Sequence, residues 1–488
     1  MAAANRILAE TPVANLAAYL AARGGVGLEA ARSAEPGAVI AELEASGLRG
    51  RGGAGFPTGT KWRTVVEAAS PTIATTVIVN GAEGEPGTFK DRTILRNNPY
   101  QVVEGALIAA TVVGANAVVF AVKANGEEGV ARLRRAIDEA RLAGWAESID
   151  IDVFEGPHEY LFGEETALLE ALHGRPPFPR VAPPFRRGAV DVVQTAADAH
   201  SDSGLSSHVE MVGGENAAPP ALIDNVETFA NVPGIVREGA AWFRGVGTDK
   251  SPGTIVCTIS GGSAHAGVDE IPMGTTLRDA ITLIGGGVPE GRAIKGVLPG
   301  VSSALIPAAS LDTPLTYEDM AQIGSGLGSA GFIVLTEEDD VVAVAAGASR
   351  FLAVESCGQC TPCKQDGLAL ASRLEKLAGS NATAEDVAEL RDRAETVSDE
   401  ARCSLALQHQ ALVSSLLDDF SADVDAHVSG SAPATEPALV AEFVDIRGGH
   451  GYLDMNFAKK QPDWTYDDTD SGKSPADRLA DHREHLSA

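Results

Sequence analysis

Between Thr72 and Phe154 the chain alternates β-branched runs with helix-length segments: "TIATTVIVN", "NPYQVVEGALIAATVVG", "NAVVFAV", "GEEGVARLRRAIDEARLAG", "SIDIDVF". Strands separated by a dozen or more residues of helical pattern cannot close as hairpins, so they must pair in parallel through helical crossovers. The fold class this predicts is an α/β layered domain, with its ligand at the carboxyl ends of the strands.

The remainder reads as separate zones. Residues 1–46 carry a helical pattern that stops near Gly47. The α/β zone is expected over 47–250. From 251 to 338 short β-type runs broken by Gly and Pro surround one helix-like segment, "TTLRDAITLIGGG", which suggests a small α+β module. Helical periodicity returns over 339–425, and 426–488 reads as an aperiodic tail that orders only against something else. The polar stretch from Gly188 to Pro220 reads as a long surface excursion.

At 488 residues several cores are affordable. The balance of 67 acidic to 38 basic residues, a net charge of -29, argues against nucleic acid and anionic membrane surfaces as partners. The longest apolar stretch, Val102 to Val122, is interrupted by Glu104, Gly105, Gly114 and Asn116, so no direct membrane insertion is expected, and no signal sequence is evident. A cytoplasmic location follows as the expectation. The cysteines fit it, because three of five are clustered instead of spaced as a disulfide framework.

That cluster is "ESCGQCTPCK", with Cys357, Cys360 and Cys363 in a C-x2-C-x2-C run and Cys403 far downstream at the head of an amphipathic helix. Such a triplet wraps its amides round one corner of an iron–sulfur cubane, and a distant fourth thiol closes the cage. Structural zinc is the alternative, although it more often uses two separated C-x2-C pairs. Cys257, inside the apolar run "GTIVCTIS", reads as an ordinary buried cysteine.

A second concentration lies in "GRGGAGFPTGTKW". Gly50, Gly52, Gly53 and Gly55 allow close backbone approach to phosphate, and the loop opens onto a helix near Lys61, whose amine can neutralise an anion. A helix precedes this loop where a dinucleotide fingerprint requires a strand, so the ordinary Rossmann reading fails its context. "NGAEGEPGTFKDR" puts Glu83 and Glu85 directly after an expected strand. "GEETALLEALHG" puts Glu164 and Glu165 at a helix start, where they either cap the helix or accept hydrogen bonds from a ligand.

Taken in order, "RGRGGAGFPTGTKW", "NGAEGEPGTFKDR", "FGEETALLEALHG", "NVETFANVPG" and "ESCGQCTPC" resemble the flavin-bearing, NADH-oxidising subunit of respiratory complex I and the related diaphorase subunits of NAD-dependent formate dehydrogenases and NAD-reducing hydrogenases. The likeness covers roughly residues 40 to 420. It implies a Rossmann-like FMN-binding domain, a ubiquitin-like soluble-ligand-binding (SLBB) module and a helical bundle with one [4Fe-4S] cluster. It further implies FMN on Gly50, Gly52, Gly53, Lys61, Asn80, Asn225 and Thr228. NAD(H) would stack on Phe56 and Phe185, with Glu83, Glu85, Tyr160, Glu164 and Glu165 around it, and Cys357, Cys360, Cys363 and Cys403 would hold the cluster.

The function so implied is hydride transfer between NADH and FMN with single electrons leaving through the cluster, and it needs no acid–base residue. Partners would be a thioredoxin-like [2Fe-2S] subunit and further iron–sulfur subunits, in the peripheral arm of a membrane-associated complex. A diaphorase of a formate dehydrogenase or hydrogenase is the alternative. This chain departs from the family at Ala82 and Asp224, where an acidic residue and an asparagine are usual, and at Ala182, where a lysine is usual. Those positions motivate a third reading, a non-catalytic iron–sulfur scaffold with a degenerate nucleotide site.

Overall fold

The computed structural model describes residues 5–70, 74–181 and 221–479. Its first sheet contains β1 (Thr75–Gly81), β2 (Ala115–Lys123), β3 (Asp150–Gly156) and β4 (Ala221–Asn225) in the order β3-β2-β1-β4. All three pairings are parallel, as the crossover argument requires. The helix Pro99–Val113 covers one face, with proline at its first turn and a left-handed stop at Gly114 (φ 66°). Its single acid, Glu104, is buried but satisfied. It accepts from Tyr19 Oη at 2.6 Å, Gly25 N at 2.8 Å and Leu28 N at 3.0 Å, which ties the N-terminal helices to the sheet.

The sequence pattern does not reveal β4. "ALIDN" is five residues long and ends in Asp-Asn, which reads locally as a turn. Its pairing with β1, Val79 beside Asp224 and Asn80 beside Asn225, makes it a strand. Because β2 and β4 flank β1, the direction of winding changes between β1 and β4, and a crevice opens at their carboxyl ends.

The second sheet is mixed, β6-β5-β9-β7-β8, built from β5 (Thr254–Gly261), β6 (Gly267–Pro272), β7 (Ile294–Leu298), β8 (Ile306–Pro307) and β9 (Gly331–Thr336). The helix Leu277–Gly285, capped by Thr276, packs on it. Cys257 sits fully buried in β5, as its sequence context suggested. The third layer is helical, formed by Val341–Glu355, Thr361–Ala378, Ala384–Thr396, Leu405–Asp419 and Ser421–Val428. The last of these helices crosses the boundary expected at 425.

Beyond it the chain is more ordered than its composition suggests. Phe443–Arg447 (β10) and His450–Leu453 (β11) form an antiparallel hairpin, and a 3-10 turn follows at Met455–Lys459. Glu442 reaches the α/β layer, where its Oε2 accepts from Lys123 Nζ at 3.0 Å and Arg92 Nη2 at 3.3 Å. Trp464 donates to Val354 O at 2.9 Å and meets the Phe178 ring edge-on. Isolated anchors of this kind give no helical or strand period, so the segment reads as a tail until its contacts are visible. Among the described residues no helix is long and apolar enough to cross a membrane.

Candidate functional site

At the β1/β4 crevice lies a cavity of about 680 Å³, within the range that takes cofactor-sized ligands. Gly50, Gly52, Gly53, Phe56 and Lys61 line it from the glycine loop and the helix Thr58–Glu67. Asn80 lines it from the end of β1, Glu83 and Glu85 from the turn that follows, and Asn225 and Thr228 from the end of β4 and the helix Val226–Glu238. Tyr160, Glu164 and Glu165 line it from the segment after β3. Thirteen of the fourteen sequence candidates for flavin and nucleotide thus face one space; Phe185, like Ala182 and the Gly188–Pro220 stretch, lies outside the described residues.

The glycine loop is built for close approach. Gly55 takes φ +62°, and a Cβ there would stand 2.4 Å from the Tyr317 ring, while Gly53 takes φ +124°. A Cβ built on Gly52 would stand 3.4 Å from the Asn225 Cβ, so the loop runs beside the end of β4. Arg51 points away into the protein, donating to Pro252 and Thr254 carbonyls, and anchors the loop to the second module.

Three cations and six carboxylates line the cavity. Lys61, expected as a free anion partner, is already paired. Its Nζ lies 2.5 Å from Glu165 Oε1 and 3.6 Å from Asp224 Oδ1. Asp224 also accepts from Trp62 Nε1 at 3.0 Å, and burial raises its pKa against the pull of Lys61. The departure at 224 therefore supplies a counter-charge to Lys61 instead of an orphan. Ala82 leaves only its backbone at the wall, its N–H donating to Asn80 Oδ1 at 3.1 Å.

Burial, then the neighbouring Asp91, pushes Glu83 up to about 7. Its carboxylate accepts from Asp91 N at 2.9 Å. Glu85 is likewise raised by burial, and its oxygens accept from Tyr160 Oη and Val301 N, both at 2.6 Å. Glu164 caps the helix Glu165–Leu172, accepting from Thr166 N at 3.0 Å and Ala167 N at 2.8 Å. The capping role and the cavity-lining role coexist. Glu164→Ala is expected to lower stability by about 1 kcal/mol, read by thermal unfolding.

Sequence reasoning missed Lys90, Asp91, Tyr317, Gln408 and the serines Ser302, Ser303, Ser325 and Ser329, all of which line the same cavity. Lys90 and Asp91 lie within a quoted motif, and "GSGLGS" at 324–329 is a second glycine-rich loop. Either could have drawn attention to the far wall.

The three clustered thiols and Cys403 border a second, smaller space with Leu161, Ser356, Gln359 and Arg402. Cys357, Cys360 and Cys363 come from the turn before and the start of the helix Thr361–Ala378, and Cys403 from just ahead of the helix Leu405–Asp419. Burial pushes Cys363 up to about 11 and Cys403 to about 12, so at neutral pH these thiols ionise only against a compensating cation. An all-cysteine donor set bordering one buried space fits an iron–sulfur cluster, and no other buried Cys is near enough to compete, since Cys257 belongs to β5. Among the described residues no three His, Cys, Asp or Glu side chains close down to the spacing of a single metal ion. Cys403, Leu161 and Leu405 border both spaces and form the wall between them.

A glycine-cradled cavity at a sheet's switch point, sharing Cys403 as a wall residue with an all-thiol site, defines a flavin and iron–sulfur electron-transfer protein. The family model for the Nuo51 FMN-binding domain matches residues 43–234, and that for the NADH-ubiquinone oxidoreductase-F iron–sulfur binding region matches 343–427. The chain is 34% identical over 419 residues to the NADP-reducing hydrogenase subunit HndC of Solidesulfovibrio fructosivorans, covering 84% of this chain and 80% of that one. It is 35% identical over 437 residues to the F-type subunit of the NADH-quinone oxidoreductase of Mycobacterium bovis, covering 87% and 92%. Among solved structures, an NAD+-reducing [NiFe]-hydrogenase in the H2-reduced state superposes with a TM-score of 0.69 at 31% identity, covering 86% of this chain and 66% of that one. The chain belongs to the family of the FMN- and [4Fe-4S]-binding flavoprotein subunit of NADH-ubiquinone oxidoreductase. It is an oxidoreductase, an NADH-oxidising electron-input subunit of a multisubunit assembly.

Proposed function

We propose that this chain takes a hydride from NADH in the 680 Å³ cavity and sends electrons singly through a cluster on Cys357, Cys360, Cys363 and Cys403 to a partner subunit. The observation that carries this reading is the shared wall: Cys403 faces the flavin cavity on one side and the other thiols on the other. FMN, when bound, accepts an electron pair as hydride and releases it one electron at a time. Gly50, Gly52 and Gly53 provide the backbone cradle, with Asn80, Asn225, Thr228 and Lys61 as polar contacts. Phe56, 52% exposed at the mouth, offers a flat face for the nucleotide, and Glu83, Glu85, Tyr160, Glu164 and Glu165 hydrogen-bond its ribose and carboxamide. Phe185 would complete the stack.

The preponderance of carboxylates in the cavity favours NADH over NADPH, because an additional 2′-phosphate would enter an acidic space whose cations are already paired. The partners we propose are a thioredoxin-like [2Fe-2S] subunit and, beyond it, further iron–sulfur subunits, in the cytoplasm. Five cysteines leave none for a second cluster in this chain. The likeness to the NAD+-reducing [NiFe]-hydrogenase chain favours a second reading, a diaphorase running toward NAD+ reduction.

An absorption spectrum of anaerobically purified protein tests the core of this. Flavin bands that bleach on adding NADH are expected, and a cluster spectrum with no flavin would leave only the scaffold reading. NADH should exceed NADPH in kcat/KM by about tenfold or more. Co-purifying molybdenum or nickel would move the assignment to the diaphorase.

A further inference from the structure

Residues 455–478 lie beyond the stretch the family models match, yet two lines of contact run from them into the cavity wall. The first is polar. Lys460, only 2% exposed, donates from Nζ to Glu355 Oε1 at 2.7 Å. The other oxygen of Glu355, also buried, accepts from Tyr160 N at 3.0 Å. Tyr160 Oη then donates to Glu85 Oε2 at 2.6 Å, inside the cavity. The second line is aromatic. Phe457 packs against Phe351 with ring centroids 4.9 Å apart, and Phe351 meets Tyr160 edge-on at 5.4 Å.

Both lines end on Tyr160, so from this geometry we infer that Lys460 is a positioning residue for nucleotide binding, acting through Glu355 on the Tyr160–Glu85 pair. A buried carboxylate keeps its place when a cation faces it and turns toward water or takes up a proton when that cation is removed. Held by Lys460, Glu355 fixes the backbone of Tyr160 at the start of the 3-10 turn Tyr160–Gly163. The phenol is thereby aimed at Glu85. Without Lys460 that backbone loses its acceptor, and the Glu85 oxygen facing the cavity loses its donor. The cavity wall is thus finished by a segment outside the stretch that defines the family.

The inference rests on the nucleotide reading of the cavity, and its test separates the two. In the purified flavoprotein, Lys460→Met should raise the KM for NADH and the calorimetric Kd for NAD+ about fivefold while leaving kcat little changed, the signature of lost binding that ground and transition states share. Hydrogen exchange at the Tyr160 amide should quicken about tenfold, a readout independent of turnover. Lys460→Arg should recover most of both, and Lys459→Met, on the exposed neighbour, should match the parent. If Lys460→Met folds poorly, Lys460→Met with Glu355→Leu removes both charges and should still bind NAD+ weakly, because the acceptor for Tyr160 N is gone. Parental NAD+ affinity and parental Tyr160 exchange in either variant would overturn the inference. Tyr160→Phe with unchanged NAD+ affinity would instead sink the nucleotide reading of that wall, and the inference with it.

Discussion

Cys403→Ser is expected to strip the protein of its cluster, taking iron from about four atoms per chain to near zero and abolishing the reduced-state paramagnetic signal. The triplet Cys357, Cys360 and Cys363 sits on one turn and helix start, and only Cys403 approaches from another element, so three corners would be held by one loop with nothing opposite. A serine hydroxyl is a much poorer ligand than a thiolate for iron, and here it would also have to ionise in a buried site. Flavin content should survive, because Cys403 contributes only one edge of a large cavity whose glycine cradle comes from a different part of the chain. NADH should therefore still bleach the flavin while no electrons reach the partner. An unchanged paramagnetic signal would remove Cys403 from the ligand set, and zinc in place of iron in anaerobic material would overturn the cluster altogether.

Lys90→Met should produce the largest loss of stability, about 3–5 kcal/mol, because it removes one partner of a buried ion network. The Lys90 ammonium is 1% exposed. It lies 2.7 Å from Asp91 Oδ1, 3.0 Å from Glu227 Oε2 and 2.9 Å from Asn225 Oδ1. Burial alone would lower its pKa, but Asp91 and Glu227 outweigh that and hold it above the ordinary lysine value. The network is also a joint, since Glu227 Oε1 accepts from Val256 N of β5 at 2.9 Å, linking the flavin layer to the second module. Methionine keeps the volume and leaves the buried carboxylates of Asp91 and Glu227 without the ammonium between them. Urea unfolding should show the loss, and adding Glu227→Gln should restore part of it. A loss under about 1 kcal/mol would mean water reaches this network in solution.

Lys90 and Asp91 also show where sequence reading reaches its limit. They stand in the quoted run "NGAEGEPGTFKDR", but a charged pair at a helix start reads as solvated surface until Glu227, far along the chain, is seen closing over it. The strand β4 was hidden for a related reason, since a five-residue run acquires its identity from pairing with β1. Lys61 was legible as a cavity residue but not as an internally paired one, because Asp224 and Glu165 reach it through different elements. The C-terminal anchors Phe457, Lys460 and Trp464 follow no period and gave no local signal.

The alternating strands and helices, the cysteine triplet and the glycine loop were determined by the sequence alone, because periodicity, ligand spacing and positive-φ tolerance are properties of neighbouring residues. Tertiary structure alone decided which charges face one another, that Cys403 stands between the two sites, and that the C-terminal segment braces the cavity wall. Those are contacts between residues distant in the chain, and their energies depend on burial and on a partner that no local window contains.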